Sequence, residues 1–200
     1  MNLQEYKAVE NLTYLGFCDY LQKKYGVSPV PYFTKNWNKN AKVSRTRDGL
    51  TVHHKYEDHA IMLGHPNWAQ KNPYEWQLPE NLVYCDYLEH LFLHILICEY
   101  PSKDHNENEV VGIGGVINFL VPELNDLYSG WKTKLAWQAK CHERVIHDKD
   151  VYLLLLKRFK KNCSNNPFYT ADCLYKSFNE SYGLWKKEWN QDLFEEIKAL

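Results

Sequence analysis

Two stretches of the sequence decide the fold, VSRTRDGLTVHH at residues 43–54 and NLVYCDYLEHLFLH at residues 81–94. Both stretches end on histidine. The chain has nine histidines, and six of them lie between positions 53 and 94. Because imidazole binds metals and takes up protons near neutral pH, the way these two stretches fold decides what the histidines can do together.

The two stretches predict two short strands and a helix. Asp48-Gly49 is a hairpin turn signal, and it predicts paired strands at residues 42–44 and 50–52. The second strand would deliver the chain directly to the histidine pair. Apolar residues at helical spacing predict a helix over residues 84–99.

The rest of the chain is predicted to be helical. The fold class is therefore α+β and predominantly helical. Its predicted parts are an N-terminal helix and connector (1–34), a strand–strand–helix core (35–105) and a helical C-terminal region (106–200) that can pack on the core as one domain. The predicted helices outside the core span residues 3–25, 116–128, 131–146, 149–162, 168–181 and 184–198.

Composition excludes a disordered chain and a membrane span. The 200 residues are 44% hydrophobic and 24% charged, with a net charge of −1, which is typical of a globular protein. The longest apolar stretch, residues 91–98, is interrupted by His94 and is far shorter than the roughly 18 residues that a span needs. The first residues lack the pattern of a signal peptide, and the six cysteines form no CxxC pair. We therefore expect a cytoplasmic protein with reduced thiols.

Charge is distributed unevenly along the chain. Residues 35–55 hold six basic and one acidic residue, residues 132–161 hold nine and three, and residues 75–109 hold one and eight. A nearly neutral chain can thus present basic faces to phosphate groups. The ordinary alternative, solvated helix faces, is favoured for residues 132–161 taken alone.

The histidines have the spacing of a metal site. His90 and His94 are four residues apart on a predicted helix, so both imidazoles share one face and can bind one divalent metal. His53 and His54 cannot both face one point on a strand, because side chains alternate. One of them can bind the metal while the other takes a proton from water. The amide of Asn81 can hydrogen-bond loop backbone and hold the strand against the helix.

This order of hairpin, histidine pair, asparagine and His-x-x-x-His resembles the HNH endonucleases, the ββα-metal nuclease family. The colicin-type DNase pattern is the most similar variant, with nine positions from Asn81 to His90 and four more to His94. The resemblance covers roughly residues 43–98. It implies that His53, His90 and His94 bind the metal, that His54 is the general base, and that Asn81 braces the loop.

The resemblance implies a metal-dependent endonuclease that hydrolyses DNA phosphodiester bonds. Its cofactor would be one divalent ion (Zn, Mg, Mn or Ni), and its partner would be DNA, with double-stranded DNA preferred. A homodimer would suit a double-strand cutter, although no sequence feature specifies an interface. Candidate phosphate contacts near the hairpin are Arg45, Arg47, Lys42 and Lys55; exposed hairpin charge is an equally good interpretation of the arginines.

Several alternatives stay open. The gap from His54 to Asn81 is longer than in the compact motif, and the histidine pair could have the reverse assignment. Other classes are a non-catalytic metal-stabilised module that binds DNA or protein, a hydrolase of small substrates, an RNA nuclease, and a toxin with an immunity-type inhibitor. The sequence offers no secretion or translocation segment in support of the toxin. Residues in the gap that could replace a ligand or contact substrate are Glu57, Asp58, His59 and His65.

Overall fold

The centre of the fold is a two-stranded antiparallel sheet. The computed structural model describes residues 1–179 and 187–200. In it, strand β1 spans Thr51–His54 and strand β2 spans Leu82–Cys85, and the two strands pair along their whole length. A single residue, Asp86, separates β2 from the long helix that follows. The histidine pair therefore lies on β1, and the His-x-x-x-His motif lies on the helix that directly follows its partner strand β2.

Helices surround this sheet, and the predicted α+β, mostly helical class is confirmed. A π turn at Val116–Leu120 joins α5 to α6, so these two form one continuous helical stretch. Within the described residues the helices are α1 (Leu3–Val9), α2 (Tyr14–Tyr25), α3 (Pro66–Ala69), α4 (Tyr87–Glu99), α5 (Ile113–Gly115), α6 (Val121–Tyr128), α7 (Ala136–Val145), α8 (Lys149–Cys163) and α9 (Lys187–Lys198).

The predicted hairpin around Asp48-Gly49 is wrong. Residues 42–44 form no strand; one isolated bridge, Arg45 to Leu50, closes the turn, and β1 pairs instead with β2. All four residues of β2 are buried, so pairing with it removes more apolar surface from water than pairing with a polar segment. Gly49 still has the expected left-handed conformation, at φ +71°, and a Cβ there would lie 2.6 Å from the Lys140 carbonyl oxygen of α7.

Two predicted helices have different bounds from the prediction. The helix expected over residues 3–25 is divided into α1 and α2, because the Thr13 side chain accepts a hydrogen bond from the Gly16 backbone N–H and starts a new helix. The helix expected at residue 84 begins at Tyr87, because the preceding residues belong to β2. Asp86 and Glu89 form a capping box at this new start.

The C-terminal region is helical where the pattern is strongest. Helices α6 and α8 confirm the predictions within a few residues, and α7 is shorter than predicted. The helix predicted over 168–181 is wrong: residues 171–175 form a 3-10 turn, and residues 180 and 181 lie outside the described residues. The Asp126 carboxylate accepts the backbone N–H groups of Phe178 and Asn179, which holds that segment outside a helix. The last predicted helix corresponds to α9, and its residues 184–186 lie outside the described residues.

Helix α4 is the axis of the apolar core. Ten of its 13 residues are buried, including Leu88, Leu91 and Ile95, as expected for a helix that is apolar all round. Its neighbours include α2 and α8. The core takes side chains from all three predicted segments of the chain, 1–34, 35–105 and 106–200. The boundaries of these segments stay a prediction. Burial on both sides fixes α4 firmly, and with it the positions of His90 and His94. No helix in the described part of the chain is both long and apolar enough to cross a membrane.

Candidate metal centre

Four side chains converge between the sheet and α4. They are His53 of β1, Glu57 of the 3-10 turn Lys55–Asp58 that follows β1, and His90 and His94 one turn apart on α4. One donor atom of each side chain lies within 4.8 Å of the donor atoms of the others. We call these four residues the donor group. The pairing of β1 with β2 places the turn that carries Glu57 opposite α4.

The distances suit one metal ion. Glu57 Oε2 lies 3.3 Å from His94 Nε2 and 3.5 Å from His53 Nδ1. The ring centres of His53 and His90 are 5.1 Å apart, and those of His90 and His94 are 5.0 Å apart. Donors of a tetrahedral zinc ion with bonds of about 2.0–2.1 Å lie about 3.3 Å apart. Movements of about 1 Å would therefore bring the four donors into place.

Two buried nitrogens in this group have no hydrogen-bond partner in the described part of the chain, His53 Nδ1 and His94 Nδ1. An unsatisfied buried polar atom costs about 1–3 kcal/mol, so a native protein usually gives it a partner. His53 Nδ1 faces Glu57 Oε2, and a cation between them would satisfy these two atoms. His94 meets Glu57 through Nε2, so its Nδ1 points away from the donor group. The observation supports a bound ion at this point.

Tyr14 fixes the orientation of His53. The Tyr14 hydroxyl donates its one proton to the Lys55 carbonyl oxygen at 2.9 Å, and it lies 2.8 Å from His53 Nε2. If the hydroxyl proton is on this carbonyl, His53 Nε2 is the protonated nitrogen that donates to Tyr14. This leaves the lone pair of Nδ1 directed at the donor group, the tautomer that a metal ligand needs.

Thr51 fixes the orientation of His90 in the same way. The Thr51 hydroxyl donates to the Cys85 carbonyl oxygen at 3.1 Å and lies 3.2 Å from His90 Nδ1. With the hydroxyl proton on the Cys85 carbonyl oxygen, Nδ1 of His90 would donate to Thr51, which would leave Nε2 with a free lone pair. Thr51 lies two residues before His53, and alternation along β1 puts both side chains on the face toward α4.

The protonation states suit metal binding. Burial lowers the pKa of His53 well below its ordinary value, that of His90 to about 3, and that of His94 to a smaller extent. Burial alone would raise the pKa of the Glu57 carboxyl, but the neighbouring imidazoles of His53, His54 and His94 outweigh burial and lower it. At neutral pH the group therefore holds three neutral imidazoles and one carboxylate, and these are the forms that bind divalent ions.

His54 lies beside the donor group and is not part of it. Its side chain is 1% exposed. Gln77 donates to the Leu63 carbonyl oxygen, so its Oε1 accepts the proton of His54 Nε2 at 3.0 Å. The free lone pair is then on His54 Nδ1, which lies 3.5 Å from Glu57 Oε1. One carboxylate thus faces the donor group with one oxygen and His54 with the other.

The other predicted site residues lie outside the donor group. Asn81 donates to the Glu75 carbonyl oxygen at 2.8 Å and so holds the loop that precedes β2. In the loop between β1 and β2, His59 pairs with its neighbour Asp58 at 2.6 Å, and His65 is exposed.

The four predicted phosphate contacts divide into two pairs. Arg45 donates to the Tyr25 carbonyl oxygen and to a neighbouring carboxylate, and Lys55 pairs with a carboxylate of α2. Both cations are thus engaged within the protein. Lys42 and Arg47 are exposed and are free to contact a ligand.

Sequence patterns do not reveal two of the supporting residues. Tyr14 lies 39 residues before His53, and Gln77 lies 23 residues after His54, so no local spacing connects either of them to the histidines. Thr51 could have been found from strand alternation alone. Comparison with known family models, characterised proteins and solved structures gives no match for this chain. The site is accordingly interpreted from its own geometry.

Proposed function

We propose that the protein is a metal-dependent endonuclease of the HNH, or ββα-metal, type that hydrolyses DNA phosphodiester bonds. The observation that carries the proposal is the convergence of His53, Glu57, His90 and His94 on a strand–strand–helix unit, with His54 directly beside them. A metal ion and a neighbouring base are what the hydrolysis of a phosphodiester requires.

The donor group would hold one divalent ion. Three imidazole nitrogens and one carboxylate oxygen suit Zn, Ni or Mn better than Mg, because Mg prefers oxygen donors. When bound, such an ion supplies positive charge that stabilises the negative charge developing on the phosphate and the leaving oxygen.

His54 acts as the general base in this proposal. Its Nδ1 lone pair takes the proton from the attacking water, while Gln77 holds the ring in one orientation. Glu57 Oε1, 3.5 Å away, stabilises the imidazolium that forms. Asn81 keeps the loop before β2 in place and has a positioning role.

The exposure of the side chains indicates from which side a substrate phosphate can reach the donor group. His53 and His54 are almost fully buried, whereas the Glu57 side chain is 17% exposed and His90 is partly exposed. A phosphate would therefore enter on the side of Glu57 and His90. Exposed cations that could receive the flanking phosphates are Lys42 and Arg47.

The proposal includes the partner, the oligomeric state and the cellular location of the protein. Double-stranded DNA is the proposed partner, and a homodimer would let two such sites cut both strands. The six cysteines are free thiols in the structure. A cytoplasmic location, where thiols stay reduced, agrees with that state.

One observation favours a second candidate, a metal-stabilised module that binds DNA or protein without cutting. Four protein donors close a tetrahedral coordination shell, as in structural zinc sites, whereas catalytic sites keep one position open. Glu57 is the deciding residue, because catalysis requires its carboxylate to release the ion or to share it with substrate.

The test is a plasmid-cleavage assay after removal of metal with EDTA and reloading with Zn, Ni, Mn or Mg. We expect nicking or linearisation by the wild type, loss of cleavage in His54→Ala with metal content unchanged, and full cleavage in His147→Ala. His147 is an exposed histidine of the α7–α8 connection and serves as the matched control. Stoichiometric metal binding without cleavage under any metal would instead support the module.

A further inference from the structure

A strained tryptophan marks the loop between Phe33 and Lys39. Trp37 has φ +59°, in the left-handed region that bulky side chains rarely adopt. The loop is closed around it, since Trp37 N–H donates to the Thr34 carbonyl and Thr34 N–H donates to the Asn38 carbonyl, both at 2.9 Å. An isolated bridge between Phe33 and Lys39 completes the closure. Strain of this kind is typical of functional positions.

The Trp37 ring is not absorbed into the main core. It meets the Tyr74 ring edge-on, with centroids 5.6 Å apart, and the Phe33 ring at 5.9 Å, and it stays partly exposed. It belongs to the margin of a small separate apolar cluster on the outer side of the sheet. An aromatic surface is thus accessible to solvent at a strained position of the backbone.

Two lysines lie on either side of this tryptophan in the loop. Lys35 Nζ lies 3.7 Å from the centre of the Tyr74 ring, and Lys39 Nζ lies 4.8 Å from the centre of the Tyr32 ring. Both lysines are exposed, and their contacts in the described part of the chain are aromatic rings and not carboxylates. Their positive charge is thus left available to an anionic ligand.

The loop is attached directly to the residue beside the donor group. The Tyr32 ring packs on the His54 ring, with centroids 4.6 Å apart. Tyr32 N–H also donates to the Gln77 carbonyl oxygen at 2.8 Å, and the Gln77 side chain holds His54. A ligand on the loop would therefore lie on the His54 side of the site.

We propose that Lys35, Trp37, Lys39 and Tyr74, the Trp37 patch, bind unpaired nucleotides of a nucleic acid strand. A base stacks on Trp37, and the adjacent phosphates contact Lys35 and Lys39. An aromatic ring between two uncompensated cations matches the alternation of base and phosphate along a single strand. The inference rests on the proposed function and deepens it, because it makes a locally single-stranded region the preferred substrate.

The test measures binding of a fluorescein-labelled oligothymidylate by anisotropy, with EDTA present so that neither metal nor cleavage takes part. Trp37→Asn removes the ring while keeping a residue that tolerates the left-handed conformation. We expect binding at least about fivefold weaker for this variant, the lower end of what stacking on one aromatic side chain contributes per base. Trp37→Tyr should restore most of the affinity. Lys35→Gln with Lys39→Gln should weaken binding and flatten its salt dependence.

Matched controls come from α7 and the segment before it. Trp137 is 46% exposed, and Lys132 and Lys134 are an exposed pair. Trp137→Ala, and Lys132→Gln with Lys134→Gln, should leave the affinity for the oligothymidylate within about twofold of wild type, because they lie outside the patch. Thermal melting of every variant shows that the fold is retained.

Three outcomes would overturn the inference: no binding of the oligothymidylate by the wild type, equal loss in the patch and control variants, or a loss of duplex binding in Trp37→Asn as large as its loss of oligothymidylate binding. An oligouridylate measured in parallel shows whether DNA or RNA is preferred, and a patch-dependent signal with either supports the inference. Because EDTA is present throughout, a failure of the metal site would leave this result intact. Metal content of the Trp37→Asn variant, expected to equal that of wild type, reports separately on the donor group.

Discussion

Glu57 and His94 meet across the gap between the turn after β1 and helix α4, with Oε2 of the carboxylate 3.3 Å from Nε2 of the imidazole. The two residues are far apart in the chain, and the contact links the two halves of the donor group. A metal ion between the two atoms would accept a lone pair from each of them. The relationship therefore makes Glu57 a candidate fourth donor, beyond the three histidines that spacing alone suggests.

Replacing Glu57 with glutamine should weaken metal binding. The side chain keeps its shape but loses its negative charge, and we expect the affinity for zinc to fall at least about tenfold, the lower end of what even outer supporting groups contribute. Competition with a chelating dye measures the change. Glu107→Gln, an exposed carboxylate in the loop after α4, is the control. Equal zinc affinity in the two variants would remove Glu57 from the donor group.

Tyr14→Phe should weaken metal binding without removing a ligand. The variant deletes the hydroxyl that accepts the His53 proton and fixes its tautomer, and we expect a loss of about 10–100-fold in zinc affinity. Loss of the hydrogen bonds should also lower the free energy of unfolding by about 1–2 kcal/mol. Tyr100→Phe, at a side chain that is 75% exposed, should change neither quantity. Unaltered zinc affinity in Tyr14→Phe would contradict the proposed tautomer of His53.

Gly115→Ala should disturb the site from behind α4. A Cβ at Gly115 would lie 2.4 Å from His94 Nδ1, whereas a Cβ at Gly114 would have no described neighbour closer than 3.9 Å. Alanine is the better helix former by about 1 kcal/mol, so Gly114→Ala should be neutral or stabilising. We expect Gly115→Ala to destabilise the fold by more than about 2 kcal/mol and to weaken zinc binding, because His94 must move. Urea denaturation of the pair, with and without zinc, measures both effects; equal stability would show that His94 is not held against Gly115.

The stability of the metal-free protein should fall on acidification. Burial lowers the pKa values of His53, His90 and His94 in the folded state, so these residues take up protons more readily when the chain unfolds. Their contribution is complete above the ordinary histidine pKa of about 6.5 and is lost progressively as pH falls from that value towards the folded-state values. Each histidine can contribute a slope of up to about 1.4 kcal/mol per pH unit.

Urea denaturation in EDTA between pH 7.5 and pH 5 checks this behaviour. The variant His90→Gln should show a shallower dependence than wild type, because one titrating group is gone. Stability that stays constant over this range in the wild type would contradict the buried, neutral state of the three imidazoles.

The sequence predicts those relationships between histidines that depend on local spacing. His90 and His94 share a face of α4 because four residues make about one helical turn, and His53 and His54 point to different sides because strands alternate. The strand partner of β1 was mispredicted, since the turn signal at Asp48-Gly49 is local whereas pairing with β2 depends on burial of a distant apolar segment. The prediction of a helix over residues 168–181 was wrong for a similar reason, because backbone N–H groups of this segment donate hydrogen bonds to the distant Asp126 carboxylate.

The most direct test of the metal centre is X-ray absorption spectroscopy at the zinc edge of the reconstituted protein. The geometry predicts one zinc per chain with three imidazole nitrogens and carboxylate oxygen at about 2.0–2.1 Å, and loss of the oxygen contribution in Glu57→Gln. A substoichiometric metal content, a sulfur scatterer from one of the cysteines, or a shell made only of water oxygens would contradict the centre.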